Sequence, residues 1–150
     1  MTPPSLLLIE DNPDDVFIMR RALKKTGLDL PVHVACDGNE ALDYLRGSGV
    51  YQDRRQYPVP SVIFLDLKLP YLTGFEVLEW IRQHPALQDL DVVILTSSAE
   101  ERDEKKAREL GVKAYLVKPP NAEMLLQTFS ALAANVSNLP VKRERTAATV

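Results

Sequence analysis

The chain has 150 residues, 45% of them apolar and 26% charged, which suits one soluble domain with a core of its own. Its formal net charge of -3 offers no global basic field, so direct binding to DNA or to an anionic membrane is not expected. A single cysteine, Cys36, excludes an internal disulfide, and the N-terminus "MTPPSLLLIED" has neither the basic start of a signal peptide nor an apolar run that could span a bilayer, so a cytoplasmic protein is expected.

The run "SLLLIE" (5–10) predicts a first strand. Asn12 and Pro13 then read as N-cap and first position of a helix that Gly27 stops. "PVHVAC" (31–36) predicts a second strand, with His33 inside it and Cys36 as a small buried hydrophobe. "DGNE" (37–40) fits a capping box for a second helix, with Ala41, Leu42 and Leu45 on its inner face. A long link rich in turn formers and charge (46–60) leads to a third strand, "SVIFLD" (61–66). Val77, Leu78 and Ile81 give a third helix its apolar stripe, and Trp80 is expected to pack against the sheet. His84, before Pro85, reads as a packed residue or a solvated turn. "DVVILT" (91–96) predicts a fourth strand, after which Ser98 with Glu101 is expected to cap a charged helix, "AEERDEKKAREL" (99–110). "KAYLVK" (113–118) predicts a fifth strand, and Asn121 caps a fifth helix running through Leu125, Phe129 and Leu132. Residues 1–136 therefore read as one domain. Residues 137–150, "SNLPVKRERTAATV", lack core periodicity and read as a flexible tail.

Five strands apolar on both faces, each followed by a helix, predict an α/β fold: a flavodoxin-like, doubly wound, parallel five-stranded sheet. Ligands in such sheets sit at the carboxyl ends of the strands, near a topological switch point. Glu10, Asp11, Asp66, Thr96 and Lys118 fall at those ends. Three carboxylates brought together repel one another, and a hard divalent cation such as Mg²⁺ relieves the repulsion. Lys118 adds an ammonium and Thr96 a hydroxyl, which together make a site for a phosphoryl group. Thr96 has no evident base, and neither histidine falls near the strand ends. Asp66 is left as the nucleophile, able to form an acyl phosphate.

The segments "IEDNPDD", "VIFLDLKLPYLTGFEVL", "VVILTSS" and "KAYLVKPP" resemble, in order and spacing, the receiver domain of two-component response regulators over about residues 5–135. The resemblance implies that Asp66 accepts a phosphoryl group from a phosphohistidine on a sensor histidine kinase. It implies Mg²⁺ held by Asp11, Asp66 and the backbone carbonyl of Lys68, with Glu10 acting through water. Lys118 would pair with the phosphoryl oxygens, Thr96 would donate its hydroxyl, and Tyr115 would be an aromatic switch. Lys118-Pro119 would be cis. The output would be the surface of the fourth helix, fifth strand and fifth helix. The long 46–60 link, with "EDNPDD", "LDLKLP" and "LTSS", is similar to single-domain receivers paired with bacterial and cyanobacterial phytochromes. That similarity implies a phytochrome-type kinase partner and a homodimer through the same surface. Pro120, where receivers often have Phe, and Ser97, where a small Ala is common, depart from the pattern.

Other readings are weaker. A haloacid-dehalogenase-type phosphatase also uses a strand-end Asp but needs a second Asp two residues on, where this chain has Lys68. A non-phosphorylated pseudo-receiver would lose the acidic pocket or the lysine, and both are present. A dinucleotide-binding fold needs a glycine-rich turn where "EDNPDD" stands. The protein is thus expected to be a signalling switch rather than an enzyme.

Overall fold

A computed structural model describes residues 3–132. Five strands and five helices alternate: β1 (Leu6–Ile9), α1 (Pro13–Thr26), β2 (Val32–Ala35), α2 (Gly38–Arg46), β3 (Val62–Leu65), α3 (Gly74–Gln83), β4 (Asp91–Thr96), α4 (Glu101–Glu109), β5 (Ala114–Val117) and α5 (Ala122–Ser130). All pairings are parallel, in the order β2-β1-β3-β4-β5. The chain leaves β1 toward β2, then crosses back to β3 on the other flank of β1. The switch point therefore lies between β1 and β3, as the flavodoxin-like reading requires.

Alternation along each strand sends its side chains to two cores. Leu7, Ile9, Ile63, Leu65, Val92 and Ile94 face α2, α3 and α4. Leu6, Leu8, Val62, Phe64, Val93 and Leu95 face α1 and α5, where the Phe64 and Phe129 rings lie 5.8 Å apart. Burial on both faces explains why these strands read as continuous apolar runs.

Most predicted caps are present. The Asn12 side chain accepts from the Asp14 and Asp15 N–H groups, Gly27 closes α1 with φ 73°, and Asn121 accepts from the Met124 N–H. Three local expectations are corrected. Glu40 does not close a capping box: its carboxylate accepts from the Cys36 N–H (3.0 Å) and the Tyr51 hydroxyl (2.9 Å), while Asp37 alone caps the helix. Ser98 pairs with Asp103 instead of Glu101, and α4 starts at an N-cap, Glu100, that makes no side-chain cap. Cys36 is exposed, because the edge strand β2 ends at Ala35 and the chain bends there. Trp80 is partly buried and packs against the core on this face of the sheet, as expected; its ring also lies 3.8 Å from that of His84, with the Arg46 guanidinium 5.1 Å away, so His84 is packed too.

The 46–60 link is a strap built on a short 3-10 helix, Gly49–Gln52. Arg54 donates to the carbonyls of Tyr44, Leu45 and Tyr57 at 2.8–3.1 Å, which satisfies the C-terminal end of α2. The rings of Tyr44, Tyr51 and Tyr57 pack 5.0–6.0 Å from one another, and His33 joins them. The expected tail, 137–150, lies outside the described residues.

Candidate phosphoryl and cation site at the switch point

Local structure fixes each site residue. Asp66 follows β3, and its N–H donates to the Ile9 carbonyl (3.1 Å), which extends the ladder one residue past the strand. Glu10 follows β1 in the same way, its N–H donating to the Ala35 carbonyl (3.0 Å). The next loop folds tightly back. The Gly74 N–H reaches the Leu67 carbonyl, and a Cβ on Gly74 would lie 2.2 Å from the Asp66 carbonyl oxygen. Thr73 and Glu76 then form a reciprocal capping box at the start of α3, a signal in "TGFE" that the sequence reading passed over.

One carboxylate oxygen each from Glu10, Asp11 and Asp66 lies within 4.8 Å of the others. Glu10 and Asp66 are buried and Asp11 is exposed, so the cluster opens to solvent on the α1 side. Hard oxygen donors grouped in this way, with one face wet, fit a divalent cation that keeps several waters. Lys118 reaches over from the end of β5. Its ammonium donates to Glu10 Oε1 at 2.5 Å, Asp66 Oδ2 at 2.9 Å and Asp15 Oδ2 at 2.9 Å. Asp66 Oδ1 accepts from the Lys68 N–H at 3.1 Å, so both oxygens of the carboxylate are oriented.

The electrostatics follow from burial. Desolvation pushes the Glu10 carboxyl up to about 7, against the hydrogen bonds from Lys118 and the Asn12 N–H, and the Asp66 charge adds to the rise. Burial works against the charge on Lys118, but hydrogen bonds to Glu10, Asp15 and Asp66 outweigh it and hold the ammonium above its ordinary range. Lys118 is therefore a permanent cation in a pocket of carboxylates.

Thr96 is fully buried at the end of β4, and its carbonyl accepts from the Lys118 N–H (2.8 Å). Its hydroxyl accepts from the Ser98 N–H at 3.4 Å, and the Tyr115 hydroxyl donates to the Ser98 carbonyl at 2.9 Å. Both expected switch residues thus hold the two sides of Ser98. Lys118-Pro119 is cis. The structure brings Glu10, Asp11, Asp66 and Lys118 together, sets Lys68 against Asp66, and sets Thr96 and Tyr115 on the adjoining loop. Two further residues belong to the site. Asp15, which no motif singles out, binds the Lys118 ammonium, and Ser98, expected only as a cap, is the joint between Thr96 and Tyr115.

A parallel sheet in 2-1-3-4-5 order, with an acidic cluster and a lysine at its switch point, defines the class of protein. The family model described as the response regulator receiver domain matches residues 6–130, and the chain belongs to that family. The response regulator Rcp1 of Synechocystis sp. is 37% identical over 130 residues, spanning 87% of this chain and 86% of that protein. Among solved structures, the bacteriophytochrome response regulator AtBRR superposes with a TM-score of 0.78 at 42% identity, over 88% of this chain and 94% of that one. The bacteriophytochrome response regulator RtBRR also gives a TM-score of 0.78, at 41% identity over 88% and 79% of the two chains. The Mn²⁺-bound form of Rcp1 gives 0.74 at 32% identity, over 93% and 99%.

Proposed function

We propose that this receiver is a phosphoacceptor switch of a two-component pathway, with Asp66 as the acceptor and a sensor histidine kinase as the donor. One observation carries the reading: a fixed ammonium, Lys118, lies 2.9 Å from an oriented carboxylate inside a cluster of three acids. In the transfer, an Asp66 oxygen attacks phosphorus, the P–N bond of the phosphohistidine breaks, and its electron pair returns to the imidazole. Charge spreads over three equatorial phosphoryl oxygens in the transition state, and Lys118 offers them its N–H groups. Asp11, Asp66, the Lys68 carbonyl and, through water, Glu10 would hold Mg²⁺. When bound, the cation supplies positive charge to the same oxygens. Hydrolysis of the acyl phosphate ends the signal, so the chain is a signalling protein that assists its own chemistry and is not an enzyme acting on a separate substrate.

Phosphorylation turns the singly charged Asp66 carboxylate into an acyl phosphate that carries about two negative charges and three acceptor oxygens. A phosphoryl oxygen that accepts from the Thr96 hydroxyl draws that side chain toward Asp66. The Ser98 peptide and Tyr115 follow, and with them the surface of α4, β5 and α5. Val117 and Leu126 are exposed on that surface, which suits a homodimer. The similarity to bacteriophytochrome response regulators favours a phytochrome-type kinase, and hence the cytoplasm. A net charge of -3 favours protein partners over DNA. No described helix is long and apolar enough to cross a membrane.

The test is intact-mass measurement after incubation with acetyl phosphate and Mg²⁺. One added phosphoryl group is expected in the wild type, and none after chelation of the cation or in Asp66→Asn. An unshifted wild type, or full labelling of the variant, overturns the reading.

A further inference from the structure

Lys118 has three N–H donors, and three carboxylates take them. Two of those acceptors, Glu10 and Asp66, are also members of the acidic cluster that a divalent cation would occupy. The third, Asp15, is not. It stands in the first turn of α1, where the Asn12 side chain accepts from its N–H at 3.4 Å, and its side chain is 31% exposed against 2% for Glu10 and 6% for Asp66. An ammonium and a divalent cation that share the oxygens of Glu10 and Asp66 repel each other and compete for the same lone pairs. Among the described residues, only Asp15 gives Lys118 an anionic partner outside the cluster.

We propose that Asp15 is a positioning residue: it draws the Lys118 ammonium toward α1, away from the oxygens of Glu10 and Asp66, so that cation and ammonium can occupy the pocket together. Without it, Lys118 leans fully on the two cluster carboxylates and competes more strongly with the metal for them. This inference rests on the reading of the acidic cluster as a divalent-cation site. It assigns Asp15 a part that acts through Lys118, with no direct contact to metal or phosphoryl group.

The test is Mg²⁺ binding to the full chain by calorimetry, with no phosphodonor present. Asp15→Asn is expected to weaken binding about 5–10-fold, and Asp15→Glu, which keeps the charge, to stay within about twofold of wild type. Asp15→Ser is a second neutral variant with a good first-turn residue, and it should behave like Asp15→Asn. In a Lys118→Met background the Asp15→Asn effect is expected to shrink to about twofold or less, because the competitor is gone. Equal losses in the two backgrounds would show that Asp15 acts only as one more negative charge, and no loss in wild type would remove its role; either result overturns the proposal. A wild-type chain that binds no Mg²⁺ overturns the underlying cation site as well, so the two failures are told apart.

Discussion

Gly74 has no room for a side chain: a Cβ there would also lie 2.6 Å from the Leu67 Cα, and backbone atoms cannot step aside as a flexible side chain can. Gly74→Ala should therefore shift the backbone that carries Asp66, at a cost of about 2–3 kcal/mol in urea denaturation, and should slow phosphoryl labelling as well. Glu10 makes a different prediction. Its folded-state pKa of about 7 lies above the ordinary value of 4.5, so the folded protein binds this proton more tightly than the unfolded chain does. That contribution to stability is full below about pH 4.5 and is lost as pH rises toward 7. Lys118 stays charged throughout this window and adds no slope. Compared with Glu10→Gln, which cannot titrate, the cation-free wild type should lose about 3 kcal/mol of relative stability between pH 4.5 and 7.5. Denaturant titrations of both proteins across that range check it, and parallel pH profiles would contradict it.

Among the elements, the 46–60 strap shows most clearly what the sequence could and could not disclose. Its length and turn formers were visible, but its order depends on Arg54 meeting three carbonyls and on three tyrosine rings meeting across the end of α2. None of these contacts has a periodic signature, so the segment reads as a bare link. Arg54→Ala should cost about 2–3 kcal/mol, because charge-assisted bonds to partly buried carbonyls are lost together; thermal unfolding measures the cost, and an unchanged midpoint would mean the strap is held by its rings alone. The strands and helices were legible for the opposite reason. Apolar runs such as "LLLI" and "VIFL", and caps such as Asn12-Pro13 and Asn121, signal locally what they do locally. Errors came where a side chain had several partners in reach: Glu40 chose Cys36 and Tyr51, and Ser98 chose Asp103. Asp15 was invisible as a site residue because its contact to Lys118 spans 103 positions of sequence.

For the molecule as a whole, the sheet order turns five short motifs into one device. Crossing back from β2 to β3 opens the switch point where Glu10, Asp11 and Asp66 meet, and placing β5 at the edge beyond β4 lets Lys118 reach in over Thr96. The same arrangement puts Ser98 between Thr96 and Tyr115, and Lys118, bonded to Asp66 by its ammonium and to the Thr96 carbonyl by its N–H, joins that pair to the site. Where the phosphoryl group attaches decides whether Asp66 is the acceptor. An acyl phosphate is reduced by borohydride, which converts the phosphorylated aspartate into homoserine that peptide mass mapping locates. After treatment with acetyl phosphate and Mg²⁺, we predict homoserine at position 66 alone. Homoserine at another carboxylate, or an unmodified Asp66 in protein that carries phosphate, would contradict the account.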